Sequence, residues 1–337
     1  MEAFRNFKTQ TYPPAPQFTS VPPGSQKGRV FIVTGGNTGI GFEICKLLFP
    51  SGAIIYMASR SKNKAEEAIK TIEAGIPEGT EGRGQLKFLH LDLSDLKSVK
   101  ATAESFASQE SKLDVLWNNA GIGANVLKFG ERTAQDLEVF MGVHCVATLL
   151  FTQLLLPQLK AAVAAAGPSG AGQTRVIWTA SGLVDNSAPP NGVDFSVLDR
   201  GFENRVTNYG ASKAGTWYLG REFARRNDDI LSVTLNPGNL KAGSFNGTAA
   251  PIYFTLSLLG MIHDPVYGGY TNLYAGLSPD LKIEHNGTYV IPWGRRRPDS
   301  EIMRKDILKA MALESEGGLG YAKKFWEWCE EQWKPHV

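Results

Sequence analysis

The chain has 337 residues, 42% of them hydrophobic, and a formal net charge of +2. That length supports a large core in one or two domains. Acids and bases are interspersed, which argues against nucleic acid or an anionic membrane as partner. The three cysteines, Cys45, Cys145 and Cys329, lack metal-ligand spacing and cannot all pair. Reduced thiols in a cytoplasmic protein without a metal are expected. No secretory pattern opens the sequence, and no run is long enough to span a bilayer; the nearest is Pro251 to Ile262. The glycosylation triplets at Asn246 and Asn286 are read as chance.

In chain order, residues 1–27 are proline-rich and are expected to form an extended arm that docks through Phe4, Phe7, Tyr12 and Phe18. Residues 28–294 read as one α/β domain and 295–337 as a helical tail. Val30 to Val33 is an unbroken apolar run, as in a strand buried on both faces. It enters a turn with Gly35, Gly36, Gly39 and Gly41, followed by a helical pattern. Strand, glycine turn and helix place a pyrophosphate at a helix N-terminus, where free N–H groups and the dipole favour an anion. The second strand, Ala53 to Ala58, ends at Ser59-Arg60-Ser61-Lys62. An acidic residue there would bind ribose hydroxyls, whereas Arg60 suits a 2′-phosphate and so NADP(H). Lys62 and Lys64 could instead pair with Glu66 and Glu67 on the next helix.

A third strand, Leu86 to Leu91, precedes Asp92, which could cap the helix near Leu96 to Ala107 or hydrogen-bond an adenine amine. A fourth, Leu113 to Trp117, runs into Asn118-Asn119-Ala120-Gly121. A long buried helix follows, about Thr133 to Ala166, which Pro157 should kink or interrupt. Strands at Arg175 to Ala180, Ile230 to Leu235 and Gly287 to Ile291 complete the pattern. Helices alternate with them, so the expected fold is a Rossmann-type, doubly wound parallel sheet. Residues from about 240 to 264 should roof a substrate pocket, with Phe245, Ile252, Tyr253, Phe254, Leu256, Leu258 and Leu259 lining or covering it. The tail ends in a tryptophan-rich helical pattern, Tyr321 to Trp333.

Ser181, Tyr209 and Lys213 all fall at the carboxyl side of the expected sheet, where such folds bind ligands. Tyr209 and Lys213 are four apart and share a helix face. A nearby ammonium favours the phenolate, making the phenol a usable acid/base. Ser181 could donate to a carbonyl oxygen as charge builds on it. Together they are suited to adding hydride to a carbonyl, or removing it from an alcohol, and the apolar residues of the expected roof point to a small hydrophobic substrate.

TGGNTGIG at Thr34–Gly41, NNAG at Asn118–Gly121, Ser181, YGASK at Tyr209–Lys213 and NPG at Asn236–Gly238 stand in one order. Over about Lys27 to Ile291 this pattern resembles the short-chain dehydrogenase/reductase family, closest to its retinol-dehydrogenase-like branch, with a tail similar to those of fungal members. The resemblance implies Tyr209 as acid/base, Lys213 lowering its pKa and holding the nicotinamide ribose, and Ser181 orienting the carbonyl. It implies cofactor contacts from Gly35, Asn37, Thr38, Gly39, Ile40, Gly41, Asp92, Leu93, Asn119, Ala120, Gly121, Pro237, Gly238 and Leu240. It also implies a homodimer through the helices after NNAG and at Tyr209. Three positions depart from the pattern. His144 stands where the family usually has a relay asparagine; it could hold the same water, weaken turnover, or simply pack. Ala242 replaces a threonine that contacts the carboxamide, and Ala180 replaces a serine.

Overall fold

The computed structural model describes residues 2–241 and 250–336. Eight strands form one sheet: β1 Val30–Thr34, β2 Ile54–Ser59, β3 Gln85–His90, β4 Val115–Asn118, β5 Arg175–Thr179, β6 Leu231–Leu235, β7 Thr288–Ile291 and β8 Arg295–Arg297. Their order is β3-β2-β1-β4-β5-β6-β7-β8, and β1 to β7 are parallel. The winding reverses between β1 and β4, which opens a crevice at the carboxyl ends of those two strands.

Side-chain alternation along the strands feeds two cores. Val30 and Ile32 of β1 and Val176 and Trp178 of β5 enter one core. Phe31, Val33 and Ile177 enter the other. Helices Leu96–Ala107, Arg205–Arg226 and Tyr321–Trp333 cover the first face, while Gly39–Leu48, Lys62–Ala74 and Pro265–Leu277 cover the second. This two-sided burial explains why the strands read as continuous apolar runs.

Several expectations change. The arm is not extended throughout, because Glu2–Thr11 is a helix. Its first ten residues contain no proline, and the proline cluster at Pro13, Pro14 and Pro16 lies just beyond its end. Phe18 docks beside Tyr274, with ring centroids 6.3 Å apart, while Phe7 and Tyr12 are exposed. The Phe4 side chain lies outside those described.

β8 was missed, since Arg295-Arg296-Arg297 carries no apolar signal; it pairs antiparallel to β7. The long helix begins at Val139 rather than Thr133 and bends by 52° between its Val139–Leu154 and Leu156–Ala166 parts. Pro157 sits in the first turn of the second part, where its missing N–H costs nothing. Among the described residues no single helix is long and apolar enough to cross a membrane. The three cysteines are free and buried.

The tryptophan-rich tail packs inward. Phe325, Trp326, Cys329 and Trp333 are buried against the Arg205–Arg226 helix, with Phe325 beside Tyr218 and Trp326 beside Phe223. A Cβ on Gly215 would lie 2.7 Å from the Phe325 ring, so that helix needs glycine at the contact. Phe325→Ala should destabilise the chain by ~3–5 kcal/mol in denaturant unfolding; a loss under ~1 kcal/mol would show that the tail is not part of the core.

Candidate active site

The turn after β1 is shaped by backbone contact. Gly35 has φ +68°, and a Cβ on Gly41 would lie 2.1 Å from the Gly35 carbonyl oxygen. Only glycine allows that approach, which brings the N-terminus of the Gly39–Leu48 helix to the cleft floor. Thr38, at the N-cap, makes no side-chain bond to the first turn, leaving those N–H groups for a ligand. Thr34 ties this turn to β4: its Oγ1 accepts from the N–H groups of Asn119 and Ala120, both at 2.9 Å. Asn119 donates back to the Thr34 carbonyl at 2.9 Å. Thr34 was not among the expected site residues; its place at the strand's carboxyl end was the available signal.

A cleft of about 710 Å³ runs along the switch point. It is lined by Gly35, Asn37, Thr38, Gly39, Ile40, Arg60, Asp92, Leu93, Asn119, Ala120, Gly121, Ser181, Tyr209, Lys213, Pro237, Gly238 and Leu240. Gly41 lies beneath it, and His144 stands one layer behind. Asp92 does not cap the following helix. Asp95 does, accepting from Lys97 N at 3.0 Å, while Asp92 closes its own turn on Ser94.

A side pocket of about 660 Å³ opens next to the cleft between Asn37, Thr38, Arg60, Ser61 and Lys64, with Glu67 and Thr71 on the same wall. Lys62 pairs with Glu66 at 3.8 Å, the structural role foreseen for it. Arg60 and Lys64 form no ion pair among the described residues. Lys64 is therefore a pocket cation that the expected pairing with Glu67 had hidden.

Asn204 caps the Arg205–Arg226 helix, accepting from the N–H groups of Val206 and Thr207 at 3.0 and 3.1 Å. This starts the helix one turn before Tyr209 and aims Tyr209 and Lys213 at the cleft. Ser181, just beyond β5, accepts from Leu183 N–H at 3.2 Å, and its hydroxyl lies near enough to the Tyr209 phenol to pull its pKa down. Lys213 Nζ lies 5.7 Å from the Tyr209 ring centroid and donates to the Thr179 carbonyl at 3.0 Å.

The expected acidification of the phenol does not appear in this geometry. Burial pushes Tyr209 up to about 12, against a smaller downward pull from the Ser181 hydrogen bond. Burial also pushes Lys213 down to about 8. Desolvation is the largest cause for both groups.

His144 is 2% exposed and sits in a widened π-helical turn, Gly142–Val146. Its Nε2 accepts from Ile122 N–H at 2.9 Å, which puts the proton of the neutral ring on Nδ1. Nδ1 faces Ser212 Oγ at 2.9 Å, and Ser212 donates to the Tyr209 carbonyl at 2.8 Å. Both ring nitrogens are thus engaged, Nε2 by a backbone N–H and Nδ1 by the Ser212 hydroxyl.

Ala124, Phe140 and Tyr209 form a small apolar cluster, with Ile122, Leu127 and Leu183 against it. The apolar wall beside the phenol therefore comes from the segment after NNAG. In the expected roof, the helix Ala250–Leu258 buries none of its residues, and Ile252, Phe254, Leu258 and Leu259 are exposed. None of these four lines the cleft, whereas Leu240 and Lys241 at the start of the expected roof do. Ala242 and Phe245 lie outside the described residues.

Comparison with known proteins bears on the family and the fold. A family model described as short chain dehydrogenase matches residues 29–188. The chain is 46% identical over 339 residues to the short-chain dehydrogenase/reductase iacJ of Pestalotiopsis fici, covering 97% of each. It is 38% identical to a short-chain dehydrogenase/reductase of Phomopsis amygdali, covering 99% of this chain and 98% of that one. Among solved structures, an L-sorbose reductase from Gluconobacter frateurii complexed with NADPH and L-sorbose is similar at TM-score 0.58 and 18% identity, covering 81% of this chain and 96% of that one. A 3-oxoacyl-[acyl-carrier protein] reductase from Brucella melitensis in complex with NAD is similar at TM-score 0.57 and 22% identity, covering 77% and 94%. These two likenesses are of fold.

Burial, and then the Lys213 charge, hold the His144 pKa well below its ordinary value. The ring should stay neutral from pH 5.5 to 8, so its NMR resonances should not titrate there. An inflection near the usual histidine value (~6.5) would refute the buried, doubly bonded ring.

Proposed function

The chain belongs to the short-chain dehydrogenase/reductase family, and we propose that within it the protein is an NADP(H)-dependent carbonyl reductase or alcohol dehydrogenase acting on a small hydrophobic molecule. The observation that carries this reading is the convergence of Ser181, Tyr209 and Lys213 on one wall of the cleft that the Gly35–Gly41 turn floors. The free helix N-terminus suits a pyrophosphate. Arg60 and Lys64, which form no ion pair among the described residues, suit a 2′-phosphate in the adjoining pocket.

Bound NADPH would supply a hydride from C4 of its nicotinamide. The residues supply the rest. Ser181 orients the substrate carbonyl by donating to its oxygen. Tyr209, held protonated by burial, is the acid that delivers a proton to that oxygen as hydride reaches the carbon. Lys213 keeps a positive charge beside the phenol and so favours the phenolate left behind. A high phenol pKa suits reduction better than alcohol oxidation, which needs the phenolate first. The apolar wall of Phe140, Ile122, Leu127 and Leu183 supports a hydrophobic substrate. His144 acts by positioning the Tyr209 helix and the NNAG turn.

A place in secondary metabolism, in the cytoplasm, fits the fungal relatives and the reduced thiols. A homodimer would need a face left free by the Tyr321–Trp333 helix, which already covers part of the Arg205–Arg226 helix. That inward packing also weighs against a scaffold role for the tail tryptophans. The rival reading is a cofactor-retaining cyclase, epimerase or isomerase, which the departures at His144 and Ala242 motivate.

Tyr209→Phe should lower turnover by a factor of ~10³ or more while NADPH still binds, followed by absorbance of the reduced cofactor. Product formed without any change in that absorbance would favour the non-redox rival. Arg60→Ala should weaken NADPH by roughly tenfold in calorimetry and leave NADH unchanged. Equal affinities of the native chain for the two cofactors would overturn the 2′-phosphate assignment.

A further inference from the structure

The helix Glu2–Thr11 precedes β1 and lies outside the segment that the family model matches. It nevertheless reaches the short helix Leu183–Ser187, which follows the Ser181 turn after β5, and the turn that ends β6. Gln10 Nε2 donates to Asp185 Oδ2 at 2.6 Å, and Gln10 Oε1 accepts from Asn236 Nδ2 at 2.8 Å. Asn6 Nδ2 donates to the same Asp185 oxygen at 3.0 Å, and its Oδ1 accepts from Arg297 of β8. Asp185 is four residues beyond Ser181. Asn236 follows β6 directly and accepts from Gly238 N at 3.0 Å, shaping the Pro237–Gly238 wall of the cleft. The two turns touch: a Cβ on Gly182 would lie 2.9 Å from Asn236 Nδ2. Directly after Gln10, the carboxyl end of the helix also holds the roof, with His263 bonded to the Thr11 carbonyl at 3.0 Å and Tyr12 donating to the Leu259 carbonyl at 3.0 Å.

We infer that this helix is a strut of the active site, and that Gln10 is a positioning residue that clamps the Ser181 turn to the Pro237–Gly238 turn. The inference rests on the reading of Ser181 as the group that orients the substrate carbonyl. One side-chain amide spans both turns with a donor to a carboxylate and an acceptor for an amide, so neither turn can shift alone. Donation to a carboxylate is a charge-assisted bond, about twice as strong as a neutral one. A displacement near 1 Å at a reacting centre costs up to about a hundredfold in rate.

The test uses the full chain with Gln10→Ala, Gln10→Glu and Asp185→Asn. Without substrate, amide exchange in residues 182–188 and 236–240 of Gln10→Ala should quicken by about fivefold, while β1 and β4 stay unchanged. With NADPH and a hydrophobic ketone, its kcat should fall roughly tenfold, with KM and NADPH affinity little changed. Gln10→Glu sets a second carboxylate against Asp185, so its kcat should recover as pH falls from 8 to 6, when a proton restores the donor. A general folding defect would not recover in that way. Asp185→Asn keeps an acceptor oxygen and should stay near the native rate. Native-like exchange in both turns of Gln10→Ala would overturn the strut. Faster exchange with native kcat would overturn the positioning role. A native chain that oxidises no NADPH with any ketone would refute the redox reading instead, and the exchange measurement would still decide the strut.

Discussion

The site depends on an ammonium kept inside the protein without an ion-pair partner among the described residues. Lys213 is 4% exposed and is held by the Thr179 carbonyl at the end of β5. An uncompensated charge is expensive to bury, and that cost lowers the lysine's own pKa. The same charge helps to keep His144 neutral, while the Ile122 N–H fixes which of its nitrogens carries the proton. Around it stand the buried phenol, the widened helical turn and the glycine at 121, where a Cβ would lie 3.2 Å from the lysine nitrogen. The lysine tail, the imidazole and the glycine therefore constrain one another, and none can be changed alone.

Those parts were legible in the sequence because they combine special chemistry with strict local geometry. The glycines of Gly35–Gly41 and the four-residue spacing of Tyr209 and Lys213 can serve few other purposes. The strands were legible because burial on both sides leaves long apolar runs. What escaped was set by contacts distant in sequence. The Glu2–Thr11 helix was hidden by prolines that end it rather than prevent it. β8 forms from three arginines because β7 offers it a free edge. Lys64 looked like half of a helix-surface ion pair, and only the position of Arg60 shows what else it faces. The phenol's pKa was misjudged because proximity to a cation can be read from spacing, whereas depth of burial cannot.

The ends of the chain complete the domain. The Tyr321–Trp333 helix supplies aromatic rings to a core shared with the Arg205–Arg226 helix. The Glu2–Thr11 helix supplies amides to the turns beside the cleft. The sheet and its crossover helices set the cleft's floor, and these two segments brace the elements that carry its reactive side chains.

β8 has one more consequence. An open parallel sheet ends in a strand whose outer backbone groups could recruit another chain. Here that strand is three arginines long, and two of them reach outward to Thr9 and Asn6 of the first helix. Charge, brevity and a covering helix together make this border a poor template for intermolecular pairing, so the same arginines that anchor the amino-terminal segment also guard the protein against aggregation.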